Sequence, residues 1–151
     1  MPMPVPGDSR ETATVELVEA AAIEATYPVA AELRPHLTEA DYVAAVSRMM
    51  ADGFRLAAVR SEGRVMALAG YHVRESLSWG RHLYVADLVT TADARSRGWG
   101  KILLDWLKAE ARREGCAELH LDSGVQRHGA HRFYLRERME IVAYHFKASI
   151  G

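Results

Sequence analysis

The feature that most constrains the fold of this chain is a glycine turn set between a strand pattern and a helix pattern. The apolar stretch Leu83–Val89 predicts a strand, and the periodicity of Ile102–Arg113 predicts a helix. Between them lies the run Arg95-Ser96-Arg97-Gly98-Trp99-Gly100-Lys101. The sequence therefore predicts a strand, a tight turn and the first turn of a helix in direct succession.

This turn has the properties of a binding site for a phosphate-bearing ligand. Its two glycines let the backbone approach a ligand closely, and the first-turn N–H groups of the helix are available to phosphate oxygens. Arg95, Arg97 and Lys101 add full positive charges to these partial ones. Two well-known phosphate motifs are excluded: Leu103 stands where a dinucleotide fingerprint needs its third glycine, and Ile102 follows Lys101 where a P-loop needs Ser or Thr.

The remaining pattern, Arg-x-x-Gly-x-Gly, resembles the acyl-CoA-binding motif of the GCN5-related N-acetyltransferases (GNATs). Three further segments resemble that family in order and spacing: Asp87-Leu88-Val89-Thr90 before the turn, Leu119–Gly124 after the helix, and Ala130-His131-Arg132-Phe133-Tyr134 further on. The resemblance spans about Val85 to Tyr134. The chain departs from the family at Arg138-Met139, where the family usually has Gly-Phe.

The resemblance implies acetyl-CoA as the acetyl donor and the positions that hold it. The turn would bind its phosphates, and the backbone of the strand before the turn would pair with the pantetheine arm. No metal is expected, because His128 and His131 stand at helical spacing with no obvious third ligand. The implied coenzyme-binding residues are Leu88, Val89, Thr90, Arg95, Ser96, Arg97, Gly98, Trp99, Gly100 and Lys101.

Two residues are candidates for proton transfer. By resemblance, Tyr134 protonates the departing thiolate, and a phenol with a pKa near 10 suits that step; the alternative is that it packs in the core. Asp87 is the candidate base for the amine, and its alternative role is to pair with an arginine or a backbone amide. His82, His120 and Tyr84 are rival bases.

The resulting interpretation is an acetyl-CoA-dependent N-acetyltransferase acting on a primary amine of a small molecule, a protein or a peptide. The alternative is a non-catalytic coenzyme A-binding sensor or interaction module. By resemblance, the acceptor pocket is built from Glu24–Met50 and Glu75–Arg81. Both stretches mix acidic and basic residues, so the sequence does not identify the amine.

Composition narrows the class of protein. A net charge of -1 over 151 residues argues against an obligatory nucleic-acid partner. The single Cys116 cannot form an internal disulfide, and its position predicts packing rather than catalysis. No apolar stretch is long enough for a membrane span, so we expect no membrane partner and a cytoplasmic protein. The oligomeric state stays open, with a homodimer among the states the sequence allows.

The predicted fold is a mixed-sheet α/β acyltransferase fold with the order β-α-α-β-β-β-α-β-α-β. Residues 1–10 are predicted to be a disordered tail, and 11–151 a single domain. A helix over Ala20–Arg34 should bend at Pro28, and a second should begin after Thr38. Glu75–Arg81 is expected to be a long connection, and a last strand is predicted near Ile141–Ala148.

Overall fold

The computed structural model describes residues 12–92 and 97–151. The predicted tail of residues 1–10 lies outside these ranges, as do Arg95 and Ser96. Within the described residues the strands are β1 Thr14–Leu17, β2 Arg55–Ser61, β3 Arg64–Ser76, β4 Gly80–Thr90 and β5 Glu118–Leu121. The helices are α1 Tyr27–Leu33, α2 Glu39–Ala51, α3 Trp99–Arg113 and α4 His128–Arg136.

The five strands form one mixed sheet in the order β1-β2-β3-β4-β5. The first four strands pair antiparallel with their neighbours, and helix α3 connects β4 to β5. This arrangement confirms the predicted fold class. The contacts divide the chain after His120 into two compact units. No helix among the described residues has both the length and the apolar character to cross a membrane.

Helices pack on both faces of the sheet in the first unit. Leu68 of β3 belongs to a core cluster with residues of α1 and α2, among them Val29 and Val46. Tyr71 contacts α3 instead, where its ring lies 6.2 Å from that of Trp106. Because side chains alternate along a strand, Leu68 and Tyr71 point to opposite faces. The sheet is therefore sandwiched between α1 and α2 on one face and α3 on the other.

The first helical segment differs from its prediction. Short 3-10 turns at Ala20–Ala22 and Glu24–Thr26 precede α1, and Pro28 lies in the first turn of that helix. Pro28 does not bend the helix at this position, because the first-turn N–H groups have no intrahelical acceptor to lose. The start of α2 is as predicted, since the Thr38 hydroxyl accepts a 3.2 Å hydrogen bond from the Asp41 amide.

The prediction of a long connection over Glu75–Arg81 is wrong. Strands β3 and β4 extend into it and pair up to Ser76 and Gly80, so the two form a tight hairpin. Gly80 has φ +64, which permits the sharp reversal. The turn therefore lies about 23 Å along β4 from Asp87, seven residues at about 3.3 Å each. Glu75–Arg81 thus lies at the opposite end of β4 from Asp87, and its part in an acceptor pocket stays a prediction.

The second unit begins at Leu121 and contains α4 and the segment that follows it. Helix α4 ends in a Schellman motif, in which the amides of Arg138 and Met139 bond to the carbonyls of Leu135 and Tyr134. Arg138 has φ +65 in this motif, the conformation for which glycine is the usual residue.

The predicted last strand near Ile141–Ala148 does not form. Residues 140–151 contain no regular secondary structure and are exposed throughout. The alternating pattern that predicted the strand is present, but within the described residues no neighbouring strand pairs with it.

Candidate active site

The predicted phosphate turn leads into α3 with the expected geometry where it is described. Gly98 is the N-cap residue of α3 and has φ +88, a left-handed conformation that disfavours residues with a side chain. Its carbonyl accepts the first helical hydrogen bond, from Ile102 N at 3.1 Å. The amides of Trp99, Gly100 and Lys101 lie in the first turn, where helix geometry provides no acceptor.

The side chains of this turn divide into exposed cations and a buried anchor. Arg97 is exposed, and Lys101 pairs with Asp105 at 3.2 Å, one helical turn along α3. Trp99 is only 1% exposed, so its indole packs beneath the turn and only its backbone is available to a ligand. Arg95 and Ser96 of the predicted site lie outside the described residues.

Strand β4 has a bulge immediately before its predicted coenzyme-binding segment. Asp87 is opposite Gly70, and Val85 is opposite Tyr71, so Ala86 is an extra residue on β4 without a partner on β3. A bulge bends and twists its strand and redirects the side chains that follow. The bulge therefore changes the direction of the side chains of Asp87 and of the three residues after it, relative to the side chains of the first half of β4.

Strand β5 is the neighbour of β4 on the side away from β3, and it is too short to flank the second half of β4. Strand β5 has 4 residues and β4 has 11, so β5 flanks only part of β4. The rings of His82 and His120 lie 5.1 Å apart, which places β5 beside the first half of β4. The edge of Leu88–Thr90 is thus left with backbone groups that β5 does not reach, at the end of the strand that leads to the turn.

Asp87 is held in an ion pair with the end of α1. Its Oδ1 accepts a hydrogen bond from Arg34 Nε at 2.9 Å and lies 2.8 Å from Arg34 Nη2. Arg34 also approaches the Ala86 carbonyl at the bulge, at 3.4 Å. The side chain of Asp87 is 29% exposed, so its carboxylate has access to solvent.

The rival bases lie towards the other end of β4. Trp79 stacks on His120 with ring centroids 4.0 Å apart, and the Nδ1 of the buried His82 lies 3.0 Å from the Gly80 carbonyl. His82 precedes Asp87 by five residues, about 16 Å along the strand. Arg74 covers the ring of Tyr84 at 4.4 Å from its centroid. Each of these contacts is compatible with a packing role, and the choice of base stays a prediction.

Tyr134 lies in α4 and belongs to the second unit, whereas Asp87 and the turn belong to the first. Burial raises the pKa of its phenol, against a smaller lowering by Arg127. The phenol is therefore protonated throughout the neutral range, as a general acid must be. Its role at the thioester sulfur stays a prediction.

The sequence also predicts a packing role for Cys116 and no bound metal. Cys116 is buried, and burial raises the pKa of its thiol, which disfavours the nucleophilic thiolate. In the part of the chain that the structure describes, no three His, Cys, Asp or Glu side chains cluster as metal ligands.

The arginine beside Asp87 is the residue that sequence reasoning missed. Arg34 and Asp87 are separated by 53 positions, and Arg34 precedes Pro35 at the end of a helix, where it carries no motif. Nothing in the local pattern distinguishes it from the other arginines. Only the packing of α1 on β4 brings the two side chains together.

An open groove of about 610 Å³ lies between α1, the β2–β3 turn and the end of β4. Its lining contains both signs of charge, with Glu32 as well as Arg60 and Arg64. The Glu32 carboxylate accepts a 2.9 Å hydrogen bond from the Ala92 amide. Asp87 does not line it. Its lining residues are Ala25, Pro28, Val29, Glu32, Arg60, Gly63, Arg64, Val65, Thr91 and Ala92.

Comparison with known proteins gives consistent results. A sequence profile of the acetyltransferase (GNAT) family matches residues 17–138. An uncharacterized N-acetyltransferase, YhdJ of Bacillus subtilis (strain 168), is 42% identical over 113 residues, which are 72% of this chain and 78% of that protein. An aminoalkylphosphonate N-acetyltransferase of Salmonella typhimurium is 30% identical over 89 residues, which are 58% of each chain.

Solved structures share the fold at low sequence identity. An aminoglycoside N-acetyltransferase, AAC(6')-Iy, in complex with CoA matches with a TM-score of 0.82 at 13% identity, over 91% of this chain and 94% of that one. A transcriptional regulator from Bacillus halodurans C-125 matches with a TM-score of 0.81 at 19% identity, over 91% and 99% of the two chains.

Proposed function

The chain is an N-acetyltransferase of the GNAT acetyltransferase family, and from that premise we propose that it transfers the acetyl group of acetyl-CoA to a primary amine of a small molecule, a protein or a peptide. The observation that carries this proposal is the order of two features along the chain. The end of β4, where β5 leaves backbone groups uncovered, precedes a helix N-terminus that offers amides and cations. Acetyl-CoA would need these partners in the same order, since its extended thiol arm is followed by its phosphates.

In the proposed complex, the backbone of Leu88, Val89 and Thr90 pairs with the pantetheine arm as an added strand would. The phosphates bind the first-turn amides of α3, with Arg97 and Lys101 as charged donors. The left-handed Gly98 supports this placement, because it turns the chain sharply into α3 with no side chain in the way. Trp99 contributes its backbone alone, since its side chain is buried.

The transfer forms a bond between the amine nitrogen and the acetyl carbon and breaks the bond from that carbon to the coenzyme sulfur. The ammonium form of the amine must first lose a proton, which Asp87 accepts directly or through water. Backbone amides of β4 polarise the thioester carbonyl, and Tyr134 gives its phenol proton to the departing thiolate. The raised pKa of the Tyr134 phenol supports this last role.

The ion pair with Arg34 bears on both the base and the acceptor. Asp87 is engaged by a cation in the free protein, so a charged amine that approaches it would compete with Arg34 for the same carboxylate. An acceptor that carries an anion as well as an amine would suit this pair, because Arg34 would then have a partner of its own. The aminoalkylphosphonate in the name of one relative is an amine of that kind.

The test is a thiol-release assay with acetyl-CoA and a panel of amines. The panel contains an aminoalkylphosphonate, the matching simple alkylamine without the phosphonate, a polyamine, an aminoglycoside and peptides with free N-terminal and lysine amines. We expect thiol release with at least one amine, and greater kcat/KM for the aminoalkylphosphonate than for the simple amine. Coenzyme binding with no thiol release across the whole panel would favour the alternative, a coenzyme A-binding module.

A further inference from the structure

Asp87 shares one face of the sheet with a histidine of β3 that the proposed mechanism leaves without a role. Asp87 is opposite Gly70, and Tyr84 is opposite His72. Residues directly opposite each other in an antiparallel pair point to the same face, and so do residues two apart along one strand. His72 and Asp87 are therefore diagonal neighbours on one face, and their Cα atoms lie about 7–8 Å apart.

The ring of Phe54 packs against both positions. Its centroid lies 5.2 Å from that of the His72 ring. Phe54 also fills the space over Gly70, where any side chain would collide with its ring. A Cβ at Gly70 would in addition lie 3.3 Å from Asp87 Oδ2. Because glycine leaves this space open, the carboxylate and the imidazole both lie beside the same buried aromatic ring.

His72 has a buried nitrogen without a partner. Its Nδ1 is buried, and no group in the described part of the chain forms a hydrogen bond with it. Buried polar atoms are nearly always satisfied by protein, by water or by a ligand. The residue as a whole is half-buried, and β2 ends its pairing at Tyr71, so β2 does not cover the edge beside His72. One or two water molecules would give Nδ1 a partner and bridge a gap of this length to Asp87.

The imidazole of His72 is neutral at pH 7. Burial, and next the charge of Arg74, lower its pKa, against a smaller raising by Asp52. Tyr84, whose ring Arg74 covers, also faces His72 from β4. A neutral imidazole can accept a proton, and the reference pKa values of about 6.5 for imidazolium and about 3.9 for an aspartic acid favour transfer from carboxyl to imidazole.

We propose that His72 receives, through bound water, the proton that Asp87 takes from the acceptor amine. The inference rests on the proposed function, because it extends the proton transfer from the amine by one step. In that step the O–H bond of the Asp87 carboxyl group breaks and an N–H bond forms on His72, which becomes a cation. The carboxylate is restored beside Arg34, which stabilises it, and the imidazolium releases its proton to solvent before the next turnover.

The experiment measures kcat of the full chain from about pH 5 to 9, with acetyl-CoA and an amine that the panel has identified. His72→Phe keeps an aromatic ring against Phe54 but has no nitrogen, so it separates proton transfer from packing. Arg74→Gln is the matched second variant, because it keeps the imidazole and removes the neighbouring charge that lowers its pKa. Circular dichroism and thermal unfolding check that both variants are folded.

In the wild type, kcat should rise with pH through an apparent pKa below about 6.5, as His72 becomes neutral. His72→Phe should lose this rise, and its kcat at about pH 8 should fall by about 10- to 100-fold. That loss is at the lower end for a proton-transfer group, because solvent replaces part of the relay. Arg74→Gln should keep most of kcat at the same pH and move the rise to higher pH.

The inference is wrong if folded His72→Phe keeps the wild-type kcat and its pH dependence. An unchanged apparent pKa in Arg74→Gln would overturn it equally, and this result does not depend on whether the His72 variant folds. Thiol release by the wild type separates both outcomes from a failure of the proposed function. If no amine of the panel gives thiol release, the proposed function fails and the role of His72 fails with it.

Discussion

Two side chains carry the proton transfers of the proposed reaction, and each has a structural alternative at the scale of the single residue. Tyr134 is shielded enough for burial to raise the pKa of its phenol, which fits either a packed tyrosine or a general acid. Asp87 has an ion-pair partner in Arg34, which fits either a structural link between α1 and β4 or a base that binds the amine. Substitutions distinguish these roles because packing and proton transfer respond differently.

Removal of the Tyr134 hydroxyl separates acid catalysis from packing. Tyr134→Phe keeps nearly all of the apolar surface, so a purely structural tyrosine should leave turnover near the wild-type rate. If the phenol protonates the thiolate, kcat should fall by about 100-fold or more, while acetyl-CoA affinity barely changes. Steady-state kinetics and a calorimetric titration with acetyl-CoA measure both quantities. Equal rates would remove Tyr134 from the mechanism and assign protonation of the thiolate to water.

Asp87 and Arg34 are best tested as a pair. We expect Asp87→Asn to lower kcat/KM by about 100-fold or more, because an amide cannot accept the amine proton. Arg34→Gln breaks the same ion pair but keeps the carboxylate, so it is the matched control and should retain most of the turnover with a simple amine. Thermal unfolding of both variants checks the fold. If the two substitutions reduce stability alike and leave kcat/KM alike, Asp87 is a structural residue.

At the scale of elements, the coenzyme proposal depends on the first turn of α3. Arg97→Glu replaces a charged phosphate donor with a carboxylate, and a hydrogen bond to a charged group is worth about 1.5–3 kcal/mol. We therefore expect acetyl-CoA affinity to fall by roughly 10- to 150-fold. Arg112→Glu makes the same charge change in the last turn of α3 and should leave affinity nearly unchanged. If titration calorimetry finds equal losses in both variants, the turn does not bind the phosphates.

Helix α3 is tied to the sheet by a buried hydrogen bond whose strength depends on pH. The Tyr71 hydroxyl donates to Glu110 Oε2 at 2.5 Å, and Arg113 and Arg55 lie close to the same carboxylate. Burial, and next the bond to Glu110, raise the pKa of the Tyr71 phenol far above its usual value. The link holds the helix that presents the proposed phosphate site.

The pH dependence follows from the direction of that shift. Below pH 10 the phenol is protonated in both the folded and unfolded states, so the full stabilisation is present. Above pH 10 the unfolded chain releases the proton and the folded chain retains it, which costs the wild type up to about 1.4 kcal/mol per pH unit. We expect Tyr71→Phe to be less stable at pH 7 by about 1–3 kcal/mol, with a difference that shrinks between pH 9.5 and 11. Urea unfolding at each pH measures it, and a constant difference would contradict the assignment.

How far the sequence predicts each element depends on whether its determinants are local. The capping threonine Thr38, the glycine turn before α3 and the apolar period of α3 are local signals, and the sequence predicts both α2 and α3 from them. The sequence does not predict the tight β3–β4 hairpin, because the stretch around Trp79 is polar and reads as a loop. In the structure Trp79 stacks on His120, a residue distant in sequence, and the local pattern contains no sign of that contact. The sequence does not identify Arg34 for the same reason, because its role depends on an ion pair with Asp87, which lies in another element.

At the scale of the whole molecule, the same argument explains the last strand. The alternation in residues 141–148 predicts a strand, but a strand forms only where a partner offers backbone groups, and the local pattern does not say whether that partner is in the same chain. The central claim for the whole molecule is the coenzyme site formed by the β4 edge and the α3 turn.

The most direct test of the central claim is thermal unfolding of the full chain with acetyl-CoA, and with NAD and ATP as matched controls. At a hundredfold excess over its dissociation constant, a ligand of the native state stabilises it by about 2.7 kcal/mol. For a chain of this size that corresponds to a rise in Tm of roughly 5–11 °C. We expect this rise with acetyl-CoA and far smaller shifts with NAD and ATP, because the turn is neither a dinucleotide fingerprint nor a P-loop. A folded protein whose Tm does not change at millimolar acetyl-CoA would contradict the claim.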